Sequence, residues 1–484
     1  MSPLKLSALI AFIALAVMVY IFFPGMWTSD PQSQLLQGIG KESYNPTFST
    51  LMTMLLGLFF NNATNMVYYL VFQVLMIFIC TVYNVYLIDR ILIYRSVVKT
   101  RYIVAVLTTA VMTFLPPSGY ISMIIWKDIL STYFLVSQVL SVIVLAYSFE
   151  SNISGNNNFL NTVALIAGGV FGALAMHFRH NLGVIVFPFF AFSVVFFYLK
   201  QKKTQTNSTN MAISILVCVM VFVSIFGAKR YLENIKIGHI DSRPQVFLKY
   251  MYHNDFLRAY RMGMKVESGD LLRIEELMGK HIDANQIRGS YSALWPTYHL
   301  DDSNIDEITS IEKRILSNNL VFWFKAKIDN AREIMFNPGG DVPAVSRGSC
   351  FSDGAQYGVV IDGRPQFNTI RQIFYALTAP VQKGARLYEV KFLWSNLKVT
   401  VIIYILSMLL LFVSMLNIKA INKISFFTIL KDYKFTLMLP LIASFLLTVP
   451  YIAMSLPSEY RYVWPNLYFL YFLMIIWFRV LRSN

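Results

Sequence analysis

Asp30 is the only acid near the end of the first apolar run of this chain. That run, Leu6–Pro24, ends just before it. Two short segments, 31–38 and 46–60, follow before the next long apolar run, Met66–Ile88. A carboxylate in such a place can act as a general base, taking the proton from an attacking hydroxyl. Three other groups of polar residues stand at the ends of apolar runs. They are Trp126-Lys127-Asp128, His177-Phe178-Arg179-His180-Asn181 and Glu459-Tyr460-Arg461-Tyr462. Several cations together can hold an anionic leaving group such as a lipid phosphate. Arginine suits that task because its planar fork binds two oxygens at once. Ionisable groups at membrane depth are costly and usually face a protein interior or a wet cavity. The set therefore suits a reaction in which a lipid-borne donor meets an aqueous acceptor.

Each group also has a plainer reading. Asp30 directly precedes Pro31, and Asp at an N-cap with Pro at the first helical position is a strong helix-start signature. Lys127-Asp128 fits a helix start with a snorkelling lysine. Arg179 fits a headgroup anchor, and Glu459 with Arg461 fits a local ion pair. His177 and His180 are spaced i, i+3, but no further ligands stand nearby for a metal. No Gly-rich phosphate loop, HExxH or GxSxG motif occurs.

These residues must be positioned by membrane helices. Of the 484 residues, 56% are hydrophobic and mean hydropathy is +0.54, which excludes an ordinary soluble protein. Ten apolar segments are long enough to expect spans: about 6–24, 66–88, 102–116, 129–148, 160–177, 183–199, 211–228, 397–416, 435–454 and 463–479. The third is short and ends in Pro116-Pro117. The first is read as a retained helix, because no small-residue cleavage pattern follows it. The segments 31–38 and 46–60 are too short to cross and are expected to lie on the membrane surface.

Positive charge sets the orientation. With both termini cytoplasmic, the inner side holds Lys5, Arg90, Arg95, Lys99, Arg101, Lys200, Lys202, Lys203, Lys419, Lys423, Lys431, Lys434, Arg479 and Arg482. The short outer loops hold only Lys41, Lys127, Arg179, Lys398 and Arg461. The net charge of +15 is thus spread over membrane loops and does not point to nucleic acid. Residues 229–396 form the one polar block of domain size. With 22 Lys/Arg and 19 Asp/Glu it is nearly neutral, and after the seventh span it is expected outside. Its first half reads helical, as in 306–336, and Asn337–Gln366 reads as loop or irregular β structure. The expected organisation is a membrane module over 1–228 with its first outer loop at 25–62, an external domain over 229–396, and a second membrane module over 397–484. Cys80, Cys218 and Cys350 provide no disulfide framework or cysteine metal site.

The first span followed by Asp30 and interfacial segments, Trp126-Lys127-Asp128, Phe178-Arg179-His180-Asn181, and Pro457-Ser458-Glu459-Tyr460-Arg461-Tyr462 together resemble the GT-C superfamily of polytopic glycosyltransferases, which use polyprenyl-phosphate sugars. Size and layout are similar to the serotype-converting O-antigen glucosyltransferases within it. Many members place two acids together in the first outer loop, whereas Asp30 here lies between Ser29 and Pro31, and the next acid is Glu42. The resemblance implies an all-α polytopic fold of about ten spans with one periplasmic α or α+β domain, in a bacterial inner membrane. It implies transfer of a sugar, glucose in the serotype-converting members, from undecaprenyl phosphate to a lipid-linked or polymerised glycan such as lipopolysaccharide O-antigen. Asp30 would be the base in a single inverting displacement. Arg179, Lys127 and Arg461 would hold the departing phosphate, with Asp128, His180 and Glu459 in support. No cofactor and no metal are implied. Two other readings remain open: an O-antigen polymerase or ligase, which depends on outer-face arginines, and a transporter or flippase, which favours charges at mid-membrane depth and paired halves.

Overall fold

The computed structural model describes residues 1–23, 25, 29–44, 48–59, 66–93, 98–115, 118–125, 127–150, 158–203, 208–237, 243–284, 304–336, 367, 369–370, 373–374, 435–453 and 465–482. Within them the protein is helical, with no strand. The helices are α1 (Pro3–Phe22), α2 (Ser29–Gly38), α3 (Thr50–Phe59), α4 (Met66–Ile93), α5 (Val98–Thr113), α6 (Ser118–Ile121), α7 (Lys127–Glu150), α8 (Asn158–Phe178), α9 (Gly183–Lys203) and α10 (Ser208–Ile237). Next come α11 (Arg243–Arg261), α12 (Ser268–Met278), α13 (Ile305–Asn318), α14 (Leu320–Phe336), α15 (Phe435–Ala453) and α16 (Pro465–Arg482).

Six of the described helices are long and apolar enough to cross a membrane: Pro3–Phe22, Val67–Arg90, Lys127–Phe149, Phe159–Phe178, Gly183–Lys203 and Thr209–Leu232. They coincide with six of the ten expected segments. The expected third span is a shorter apolar helix, Thr100–Thr113, and the segment at 435–454 holds an apolar helix over Met438–Thr448. Residues 465–479 of the expected segment at 463–479 lie in α16. The expected span at 397–416 lies outside the described residues.

The chain divides into two compact units. One comprises Met1–Gly238, Val342–Phe445 and Pro465–Asn484; the other comprises His239–Asp341 and Leu446–Trp464. The expected domain boundary at residue 229 falls within α10, which continues to Ile237. The expected loop or irregular β region, 337–366, lies outside the described residues.

In the first unit, large apolar side chains face outward as well as inward. Leu9, Phe12, Ile13 and Val17 of α1 face outward, as do Ile213, Leu216, Met220 and Val223 of α10. Lipid, not water, suits such faces. The inward face of α1, Ser7, Ala11, Leu15, Met18 and Phe22, has helical spacing and packs toward α4 and α5. Helix α7 is the centre of the bundle, and its whole apolar window is buried. It carries buried Ser131, Ser137, Gln138 and Ser141. Small residues of α8 let that helix approach closely. A Cβ on Gly172 would stand 2.4 Å from Gln138 Nε2, and one on Gly168 would stand 2.9 Å from the Ser141 Cβ.

The chain between α5 and α7 is mostly not helical, so its backbone groups need other partners. Gln73 of α4 donates from Nε2 to the carbonyls of Ser122 (2.8 Å) and Ile124 (2.9 Å). Tyr133 donates to the Met112 carbonyl at the end of α5 (2.5 Å). The Ser118 and Tyr468 hydroxyls meet at 2.7 Å, and those of Ser122 and Tyr133 at 2.8 Å. This hydroxyl network holds the turn that delivers Lys127 and Asp128 to the start of α7.

The second unit is built on α11–α14. Its core contains Phe256, Leu257, Ile274, Ile308, Ile315, Leu316 and Ala326. Helix α12 ends at Gly279 in the left-handed region (φ 62°), where its N–H reaches the carbonyls of Glu275 and Glu276.

Candidate functional site at one end of the membrane bundle

The segment that joins α1 to α4 is anchored at two points of its described part. At its start Gly25 has φ 107°, a conformation that favours glycine. It also lies against the turn before α7, since a Cβ there would stand 3.3 Å from Ile125 Cδ1. At the far side, Ser49 caps α3. Its hydroxyl accepts the Met52 N–H (3.2 Å) and donates to the His177 carbonyl at the end of α8 (2.8 Å). The loop therefore touches the start of α7 and the end of α8.

Within this segment α2 and α3 pack against each other almost backbone to backbone. A Cβ on Gly38 would lie 2.3 Å from the Thr53 carbonyl oxygen, and one on Gly57 would lie 2.4 Å from the Gly38 carbonyl oxygen. Glycine at both positions is thus a packing requirement. Leu35, Leu36, Met52 and Leu56 are buried. Asp30 is the second residue of α2. Its side chain lies outside the described residues.

The residues from α7 and α8 meet beside this loop. Arg179 Nη1 stands 2.9 Å from Asp128 Oδ1, with the two side chains 5% and 0% exposed. Arg179 Nε also donates to Asn181 Oδ1 (3.0 Å). The guanidinium, expected to meet a donor phosphate, is already engaged with a carboxylate and an amide. Removing either partner would leave an uncompensated buried charge. Lys127 takes a different position, its Nζ 5.3 Å from the Phe48 ring centroid, a cation–π distance. Phe48 adjoins the Ser49 cap, so Lys127 reaches the first loop as well.

His177 is engaged by the backbone of another helix. Its Nε2 meets the Ile225 carbonyl at 2.6 Å, which makes that nitrogen the donor and ties α8 to α10. No group of three or more His, Cys, Asp or Glu side chains that could hold a metal occurs among the described residues. The His180 side chain, Trp126, Glu459 and Arg461 lie outside the described residues.

The sequence pointed to Asp30, Lys127, Asp128 and Arg179 but missed three residues that gather them. Ser49 carries a local signal, a serine just before an apolar helical run. Its bond to His177 spans 128 positions and has none. Gly25 and Phe48 are likewise ordinary residues until their distant partners are known. The arrangement brings an acid-bearing loop, a cation over an aromatic ring and a buried acid–arginine pair to one end of a membrane bundle. These are residue types that can exchange a proton and bind an anion. Comparison of the chain with protein-family models, curated proteins and solved structures found no match.

Proposed function

We propose that the protein is a membrane glycosyltransferase that moves a sugar from a polyprenyl phosphate to a glycan acceptor. Such a reaction needs a base for the acceptor hydroxyl and cations for the leaving phosphate, at a place reached from both lipid and water. The observation that carries this reading is the double anchoring of the Asp30 loop, through Gly25 at Ile125 and through Ser49 at His177. It supports Asp30 as the base near Lys127 and Arg179.

In this reading, the acceptor oxygen attacks the anomeric carbon as Asp30 takes its proton. The bond from that carbon to the phosphate oxygen breaks, and the phosphate leaves with its electron pair. Attack opposite the leaving group inverts the configuration. Lys127 meets the phosphate, and Asp128 orients Arg179 from behind through the 2.9 Å pair. Arg461 and Glu459 complete the proposed set, with His180 in support. Undecaprenyl-phosphate glucose and O-antigen are the donor and acceptor of first choice, in a bacterial inner membrane with 229–396 on the periplasmic side.

The test is transfer by the full-length protein in proteoliposomes, supplied with radiolabelled undecaprenyl-phosphate glucose and purified O-antigen. Label entering the polysaccharide supports the reading. Activity confined to diphosphate-linked oligosaccharides would replace it with a polymerase or ligase. Movement of the lipid-linked sugar across the bilayer without transfer would replace it with a flippase.

A further inference from the structure

We propose that the outward face of α14 is a docking surface for membrane lipid. Val321, Phe324 and Ile328 recur at helical spacing and are 67%, 72% and 64% exposed. Leu320, at the helix start, is 57% exposed beside them. The opposite side of the helix serves the domain: Ala326 lies in its core, and Trp323 Nε1 donates to Asp255 Oδ2 on α11 (2.7 Å). Helix α14 thus carries two apolar faces, and only one is used by the core of its own unit. Large apolar side chains standing together in water are an interaction surface or a liability.

Lipid is the occupant for two reasons. The first is the tether. Thr209–Leu232 is apolar and long enough to cross a membrane, and its helix α10 runs on to Ile237. Helix α11 begins at Arg243, after only residues 238–242. The domain is therefore held within a few residues of a bilayer, at a high effective concentration of lipid. The second reason is charge. Lys325 is exposed next to Phe324, with its Nζ 5.1 Å from the Phe322 ring centroid. A basic residue bordering an apolar helical stripe suits anionic headgroups over an acyl interior. Phe324 and Ile328 would enter the boundary between headgroups and acyl chains, about 5–10 Å deep, while Lys325 stays at the phosphates. This inference is independent of the chemistry proposed above.

The test uses the full-length protein in nanodiscs of phosphatidylethanolamine and phosphatidylglycerol. A single reporter cysteine is introduced as Phe324→Cys in a Cys350→Ala background, Cys80 and Cys218 being buried. It is labelled with the environment-sensitive dye NBD. Glu267→Cys, at an exposed position before α12, serves as the aqueous reference. Docking on lipid gives a blue-shifted emission at 324, quenching by doxyl-labelled lipids and protection from iodide, with the opposite pattern at 267. Ile328→Glu should return the emission at 324 toward that at 267. Free access of iodide at 324 overturns the proposal. Protection from both iodide and doxyl lipid overturns it too, because protein then covers the stripe. An emission at 324 unmoved by Ile328→Glu also counts against it.

Discussion

The two compact units both bury charge, but they do so differently. In the membrane unit the buried pair of Asp128 and Arg179 joins the start of α7 to the end of α8. In the other unit α11 carries a run of buried polar residues that pair with neighbouring helices. His253 Nδ1 meets Glu312 Oε1 at 2.6 Å. Asp255 accepts from Trp323 and from Lys327 (2.8 Å), and Arg258 pairs with Asp329 (3.1 Å). The network lies beside a packed apolar core and ties three helices together. The membrane pair instead lies beside a loop held by glycines and a serine cap. Buried ion pairs gain little net stability, because desolvation offsets attraction. The inner network therefore serves chiefly to set which helices pair. The membrane pair sets the position of residues that the proposed chemistry uses.

The largest effect separates catalysis from structure at Asp30. Asp30 stands in the first turn of α2, where Asn can accept a backbone N–H nearly as well as Asp but cannot accept a proton as a base. Asp30→Asn should reach the membrane at normal abundance and lose transfer by roughly 10²–10⁴-fold. Asp30→Glu should retain part of the activity, and Glu42→Gln most of it. Transfer assays at equal membrane abundance check this; near-normal rates in Asp30→Asn leave the residue only a structural part of the start of α2.

Next in size is the buried pair. Arg179→Ala or Asp128→Ala alone should destabilise the protein by about 3–5 kcal/mol, because each strands a buried charge. The double variant should be less damaged than either single one, as seen in thermal unfolding in detergent. A double variant that is stable yet inactive would show that the pair also serves the reaction. Additive losses of stability would mean the two residues do not act as a pair.

A smaller effect is expected at the α2–α3 contact. Gly57→Ala forces a methyl against the Gly38 carbonyl, and overpacking of this kind costs about 1–3 kcal/mol. Because the strain lies under the Asp30 helix, transfer should fall more than thermal stability does. Equal loss of both would make the contact merely structural.

The smallest effect is a pH dependence in the second unit. Burial holds the Glu312 carboxyl above its ordinary range; His253 opposes the shift and Asp255 adds to it. The folded state thus binds this proton more tightly than the unfolded chain. Its stabilising contribution is complete below the ordinary value of 4.5 and is lost as pH rises through the folded-state value. Hydrogen exchange of α11 and α13 amides should therefore speed up, relative to its intrinsic rate, as pH rises above that point. Glu312→Gln should flatten the change, and an unaltered slope would remove Glu312 as its source.

The apolar lengths of the six long helices were set by the sequence alone, because a bilayer demands local runs of a given length and composition. The same local logic placed a helix over 306–336, though not the break at Asn319 that divides it into α13 and α14. Asp30 and Lys127 stood out because charge at the end of an apolar run is unusual wherever it occurs. What tertiary structure decided was the company these residues keep. Arg179 reads as a phosphate ligand until Asp128, 51 positions earlier, is found 2.9 Å away. Ser49 draws no notice in the sequence until it is seen to reach His177. Gly38 and Gly57 look like weak points in two short helices until their backbones are seen to touch. Hydropathy is a sum over neighbours along the chain, so one sequence suffices to read it. A contact across 128 residues depends on how whole helices pack, and no local pattern encodes it.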